Sequence, residues 1–212
     1  MRRDDILRDV RSALRRTAGQ PARDVPAARL RLQPADAESR IRQFCAAVEN
    51  LAGKAHRAAS CAEACAYASK LLAGGTAVAS NAPFLNTCGI TSLPGVRTGR
   101  FEEAQLRSLC AVADLGITSA DYAIAETGTL VVLSSAEEAR MISLLPPVHL
   151  AILPSGRILT GLDELFALLP HPAEKTSSMV LITGPSRTAD IEMTLIRKVH
   201  GPGEVHVVIV ES

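Results

Sequence analysis

Apolar residues in the second half of the chain fall into four short, nearly unbroken runs: Thr129–Leu133, 148–153, 179–183 and 205–210, all rich in Val, Ile and Leu. Unbroken rather than alternating hydrophobicity is the mark of strands covered on both faces. Segments of helical character separate them, notably 161–169 (GLDELFALL) and 188–199. Strands alternating with helices predict an α/β fold, a mostly parallel sheet with helices on both sides. Nearer the start, Ile41, Phe44, Val48 and Leu51 recur at helical spacing. Ser60 and Glu63 then have the spacing of a capping box, which opens a helix that closes at Gly74-Gly75. A short strand at 76–79 runs into the loop sequence Ser-Asn-Ala-Pro.

The first 35 residues differ. Ile6, Val10 and Leu14 form one stripe of a short helix whose other faces carry Arg8, Arg11, Arg15 and Arg16. Residues 19–35 hold three prolines without periodicity and read as an extended linker. The expected organisation is a basic N-terminal helix and linker over 1–35, followed by an α/β domain over 36–212.

Charge sharpens this division. The chain of 212 residues balances 23 Lys and Arg against 22 Asp and Glu, yet residues 1–33 alone carry nine Arg and four Asp. The body is therefore acidic, and the global field has nothing to collect nucleic acid. Six aromatics and no Trp also leave little surface for stacking bases. No run approaches the ~18 apolar residues of a membrane span. Asp4 and Asp5 directly follow the N-terminal Arg pair without an apolar core region, so a secretory leader is not expected. Five cysteines, an odd number, then point to reduced thiols in the cytoplasm. Cys61 and Cys65 share a helix face, but no Cys-x-x-Cys or nearby His completes a metal site, so none is expected.

Two segments can carry chemistry. In 113–134, Thr127-Gly128 separates two extended stretches. It reads either as a hairpin turn or as a tight turn lining a small-molecule site, with Glu126 as acid, base or nucleophile. In 182–192 (ITGPSRTADIE), a strand ends in Gly-Pro-Ser-Arg and feeds the helix expected near Thr188. Strand ends that meet helix N-termini are where α/β sheets bind ligands, and Ser186, Arg187 and Thr188 suit a phosphate or carboxylate. Asp190 and Glu192 repel an anion there but suit the helix dipole. Arg140 can pair with Glu137 or reach a site, and His149 reads first as a core histidine. Walker A, Gly-x-Ser-x-Gly, His-Glu-x-x-His and Gly-x-Gly-x-x-Gly patterns are all absent.

AIAETGTLVV (123–132), SLLPPVHLAIL (143–153), ITGPSRTADIE (182–192) and VHGPGEVHVVIV (199–210), in this order and spacing, resemble the lactate-utilization LUD-domain family. The likeness covers roughly 75–211, and the N-terminal third lies outside it. It implies a three-layer α/β/α fold similar to the glucosamine-phosphate isomerase, ribose-phosphate isomerase and CoA-transferase group, here with an N-terminal helical extension. It also implies a part in bacterial oxidation of L-lactate to pyruvate together with two iron–sulfur subunits. The clusters would then belong to those partners, and this chain alone would bind no cofactor. The motif residues that match are Glu126, Thr127, Gly128, Thr129, Gly184, Pro185, Ser186, Thr188, Asp190 and Glu192, with Arg187 or Arg140 as the partner for a ligand carboxylate. An alternative makes the chain a stand-alone transferase or isomerase on a CoA thioester or sugar phosphate, with Glu126 as nucleophile or base. A third reading is an interaction module that docks through the basic N-terminal helix.

Overall fold

The computed structural model of the chain describes residues 3–17, 19–20, 35–189, 195–197 and 201–211. Its helices are α1 (Arg3–Ala13), α2 (Ala37–Asn50), α3 (Cys61–Leu72), α4 (Pro83–Thr87), α5 (Glu103–Val112), α6 (Met141–Leu144) and α7 (Leu162–Leu168). The strands are β1 (Lys54–Ala58), β2 (Ala77–Ala79), β3 (Val96–Arg97), β4 (Leu115–Ser119), β5 (Tyr122–Ile124), β6 (Thr129–Leu133), β7 (Val148–Pro154), β8 (Ile158–Leu159), β9 (Met179–Ile182), β10 (Arg187–Ala189), β11 (Leu195–Arg197) and β12 (Glu204–Val210).

Six strands form an all-parallel sheet in the order β1-β12-β7-β4-β2-β3. Side chains of successive residues leave a strand on opposite faces, so each unbroken apolar run serves two cores. Along β12, Val208 and Val210 join α3 and α4 in one core, whereas Val207 and Ile209 join α2 in another. Val78 of β2 turns to the α2 side as well, under α5 and α6. Helices thus flank both faces of a mostly parallel sheet, as the alternation of runs predicts.

Two expectations are corrected. Residues 129–133 and 179–183 do not extend the parallel sheet. β6 and β9 pair antiparallel in a second, four-stranded sheet of order β8-β5-β6-β9. That sheet is covered on one side by the α2 core and on the other by α7, through Leu165 and Leu169. Cover on both faces erases the alternation along β6, whereas β9, at the edge, is apolar even at exposed Leu181. The helix expected over 188–199 is also absent among the described residues: β10 and β11 pair antiparallel, Thr188 opposite Ile196. Thr188 of β10 and Ile196 of β11 are β-branched, and restricted χ1 rotation favours the strand; residues 190–194, 198 and 199 of the expected helix lie outside the described residues.

Local signals are otherwise reproduced. Asp36 caps α2 by accepting from the Ser39 N–H at 2.9 Å. The Ser60 hydroxyl accepts from the Glu63 N–H at 3.3 Å, and the Glu63 carboxylate accepts from the Ala59 N–H at 2.8 Å, one residue beyond the expected partner. α3 ends at Ala73 and Gly74, both in the left-handed region. α1 forms with its stripe of Ile6 and Val10 exposed. The linker read over 19–35 falls largely outside the described residues. No helix among the described residues is long and apolar enough to cross a membrane.

The cysteines are free thiols. Cys61 opens α3, and its sulfur lies 2.7 Å from that of buried Cys88, which ends α4. Spacing pairs Cys61 with Cys65, but the fold pairs it with Cys88. Mild oxidation with diamide, followed by non-reducing peptide mapping, should link Cys61 to Cys88. A dominant Cys61–Cys65 product would contradict this packing.

Candidate functional site

Residues 126–129 and 183–186 are 54 or more positions apart, and the pairing of β6 with β9 brings them together, with Leu130 opposite Ile182. Tyr122–Ile124 and Thr129–Leu133 form a hairpin, closed by the Gly128 N–H donating to Ile124 at 3.0 Å. Three hydroxyls then form a chain: Thr127 Oγ1 to Thr129 Oγ1 at 2.7 Å, and Thr129 Oγ1 to Thr183 Oγ1 at 2.9 Å. Both glycines of this seam sit at positive φ and face α2. A Cβ on Gly128 would stand 2.8 Å from the Val48 nitrogen, and one on Gly184 would stand 3.0 Å from Leu51 Cβ. Their bare backbones let the end of α2 close over the seam.

Glu126 is exposed at the edge of the turn, and its N–H donates to Thr160 at 3.1 Å. Pro185 and Ser186 line a cleft of about 220 Å³ with Lys54, Gly203 and Glu204. Lys54 and Glu204 pair there at 3.0 Å. These two residues begin β1 and β12. The 183–186 loop therefore lies by the amino ends of the parallel strands and leads into a strand, which corrects the expected site at a carboxyl end facing a helix N-terminus. Arg187 and Thr188 are placed by their backbone in β10, and Asp190 and Glu192 lie outside the described residues. Arg140 is not brought to the seam. Its Nη1 lies 3.5 Å from Ser178 Oγ, at the far end of β9 from Thr183.

The carboxyl ends of the parallel strands hold a different cleft. β2 continues into α4 on one face of the sheet, while β4 continues into the β5–β6 hairpin on the other. Connections that diverge in this way open a crevice between neighbouring strands, the usual ligand position in parallel sheets. Here it is a cleft of about 490 Å³ lined by Phe84, Ser119, Asp121, Ser134, Glu138 and Lys175, among others.

Glu138 is the unusual residue of this cleft, only 5% exposed. Its Oε2 accepts from the Ser80 hydroxyl at 2.7 Å and from the Ser119 N–H at 3.3 Å. Its Oε1 is buried and has no hydrogen-bond partner among the described residues. Burial pushes the carboxyl up to about 8, so Glu138 is neutral at pH 7. Burial likewise raises Asp121, against the opposing effect of the Leu133 N–H, which donates to its carboxylate at 2.7 Å. Arg100 and Glu137 pair at the rim at 2.8 Å. The Ser135 hydroxyl fixes the turn by accepting from the N–H groups of Glu137 and Glu138 at 3.1 and 3.0 Å.

Sequence reasoning missed Glu138. A Glu-Glu pair in a polar loop reads as solvated, and the only local signal was Ser135 at the spacing of a serine turn. His149 was placed correctly as a core histidine. It is fully buried, with Nε2 2.8 Å from Thr118 Oγ1, and burial lowers it to about 4. Among the described residues, no group of three or more His, Cys, Asp or Glu is placed to hold a metal ion.

The LUD domain, as a family profile, matches residues 41–210. A protein named lactate utilization protein C from Halalkalibacterium halodurans is 42% identical over 104 residues, which are 47% of this chain and 45% of that one. Its namesake from Exiguobacterium sp. is 42% identical over 110 residues, 50% of this chain and 48% of the other. The one from Bacillus licheniformis is 36% identical over 104 residues, 47% and 43% of the two chains. The chain thus spans about half the length of the curated relatives it matches. In fold, it is similar to the crystal structure of a DUF162 family protein from Deinococcus radiodurans. The TM-score is 0.66 at 19% identity, over 84% of this chain and 99% of that one.

Proposed function

The chain belongs to the LUD-domain family, and from that membership we propose that it serves lactate utilization as the cluster-free LUD-domain subunit of a system that oxidises L-lactate to pyruvate. In this reading two partner subunits carry the iron–sulfur clusters and this chain binds none. Its own contribution is a small-molecule site at the seam of Glu126–Thr129 with Gly184, Pro185, Ser186, Arg187 and Thr188. The observation that carries the reading is the junction of the two motif segments: β6–β9 pairing places them in one hydroxyl chain. Arg187 follows directly on Ser186, where a guanidinium suits a carboxylate through two parallel bonds.

Exposure of Glu126 favours this reading over a stand-alone transferase or isomerase. A carboxylate nucleophile or base works best in a pocket that excludes water, and Glu126 stands open to solvent.

Deleting the gene should abolish growth on L-lactate, with wild-type protein restoring it. A pull-down from the native host should co-elute chains with the visible absorbance of iron–sulfur clusters. Normal lactate-dependent growth in a strain without a second copy would overturn the proposal.

A further inference from the structure

The cleft at the carboxyl ends of β2 and β4 is separate from the motif seam, and nothing in the lactate reading uses it. We propose that it binds a small oxyacid, with the Glu138 carboxyl donating a hydrogen bond to a ligand carboxylate or carbonyl oxygen and Lys175 supplying the rim charge.

The two oxygens of the Glu138 side chain differ in their partners. Oε2 already accepts two hydrogen bonds, from Ser80 and Ser119, and so acts as the carbonyl oxygen. The proton of the neutral acid then sits on Oε1, the atom left without a partner. A buried donor without an acceptor is costly, and an incoming acceptor oxygen removes that cost. Polar groups in the interior are almost always satisfied, and here both Glu138 Oε1 and Ser134 Oγ, on residues that line the cleft, are buried without a partner among the described residues, which suits an incoming polar ligand.

The surrounding charges select the ligand class. Asp121 faces the cleft from the end of β4, and Glu137 is neutralised by Arg100. Arg140 follows two residues after Glu138 on the same segment, and exposed Lys175 also lines the cleft, without an ion pair among the described residues. A neutral acid beside a free ammonium accepts an anion. An ionised Glu138 beside Asp121 would repel it, so affinity should fall as pH passes about 8. At about 490 Å³ the cleft is within the range of pockets for organic molecules.

The test is calorimetric titration of the full chain with pyruvate, succinate and the neutral polyol sorbitol at pH 7 and pH 9. Pyruvate or succinate should bind and sorbitol should not, with affinity about tenfold weaker at the higher pH. Glu138→Gln, whose amide still donates, should keep the pH 7 affinity within about threefold and lose the pH dependence. Lys175→Ala changes an exposed residue and should weaken binding about tenfold without altering the melting temperature. The proposal is overturned if neither acid binds at about 10 mM, if sorbitol binds as well as the acids, or if Glu138→Gln keeps the pH dependence. Unchanged affinity in Lys175→Ala would likewise remove the assigned charge.

Discussion

Gly128→Ala is expected to lower the melting temperature by about 6–12 °C. Two costs combine. At φ +65 the backbone occupies the left-handed region, where a Cβ costs roughly 1–2 kcal/mol. The added carbon would also stand 2.8 Å from the Val48 nitrogen and 2.9 Å from the Ala47 carbonyl carbon, both main-chain atoms of α2. A helix backbone cannot swing aside as a flexible side chain can, so overpacking adds about 1–3 kcal/mol. α2 must then retreat, and with it Ile41, Phe44 and Val48, which fill the core between the two sheets. Thermal melts settle the matter, with Gly156→Ala as control, since nothing lies within 4 Å of a Cβ there. A Gly128→Ala protein that melts with the wild type would show that α2 does not depend on this contact. The motif glycine would then need a ligand rather than packing to explain it.

Stability should fall by roughly 2 kcal/mol between pH 6.5 and 8, and Glu138→Gln should abolish the fall. The folded chain holds the Glu138 proton to about pH 8, against an ordinary value of 4.5. Between these values the folded state binds one proton more than the unfolded state, so raising the pH favours unfolding. His149 works the other way. Burial lowers it to about 4 from 6.5, so the unfolded state binds the extra proton in that window and stability rises with pH. The two slopes oppose one another from about 4.5 to 6.5, with buried Asp121 adding to the Glu138 side, and Glu138 dominates above that. Burial also lowers His206, which adds to the histidine side and stays silent once the pH exceeds the ordinary histidine value. Urea unfolding at half-unit steps from pH 5 to 8.5 measures both limbs. A flat wild-type curve above pH 6.5, or the same decline in Glu138→Gln, would show that the carboxyl is ionised in the fold.

Much of the architecture was legible because its causes are local. The spacing of Ile41, Phe44 and Val48 wrote α2, and Ser60 with Glu63 wrote the start of α3. The runs at 148–153 and 205–210 wrote two neighbouring central strands of the parallel sheet. The hairpin at Thr127-Gly128 was one of two readings that turn chemistry allowed, and the structure contains it. The motif segments also told of a junction, since both belong to the seam that β6 and β9 assemble. That Gly128 and Gly184 serve packing against α2 was not legible, because only the fold brings that helix to them.

What the sequence by itself determined is the inventory: which segments are apolar, where helices start, which residues can turn, and that charge is split between a basic arm and an acidic body. The tertiary structure alone decided that β6 and β9 leave the parallel sheet for a second one. It also placed Cys88 rather than Cys65 against Cys61, and buried Glu138 in the lining of a cleft. The physical reason is common to all three. Periodicity and capping act within a few residues, whereas cover on the second face of a strand, contact between two thiols and desolvation of a carboxylate depend on chain segments tens of residues away. The near equality of positive and negative residues hid the acid that matters most, because a formal count treats Glu138 as ionised and the fold keeps it neutral.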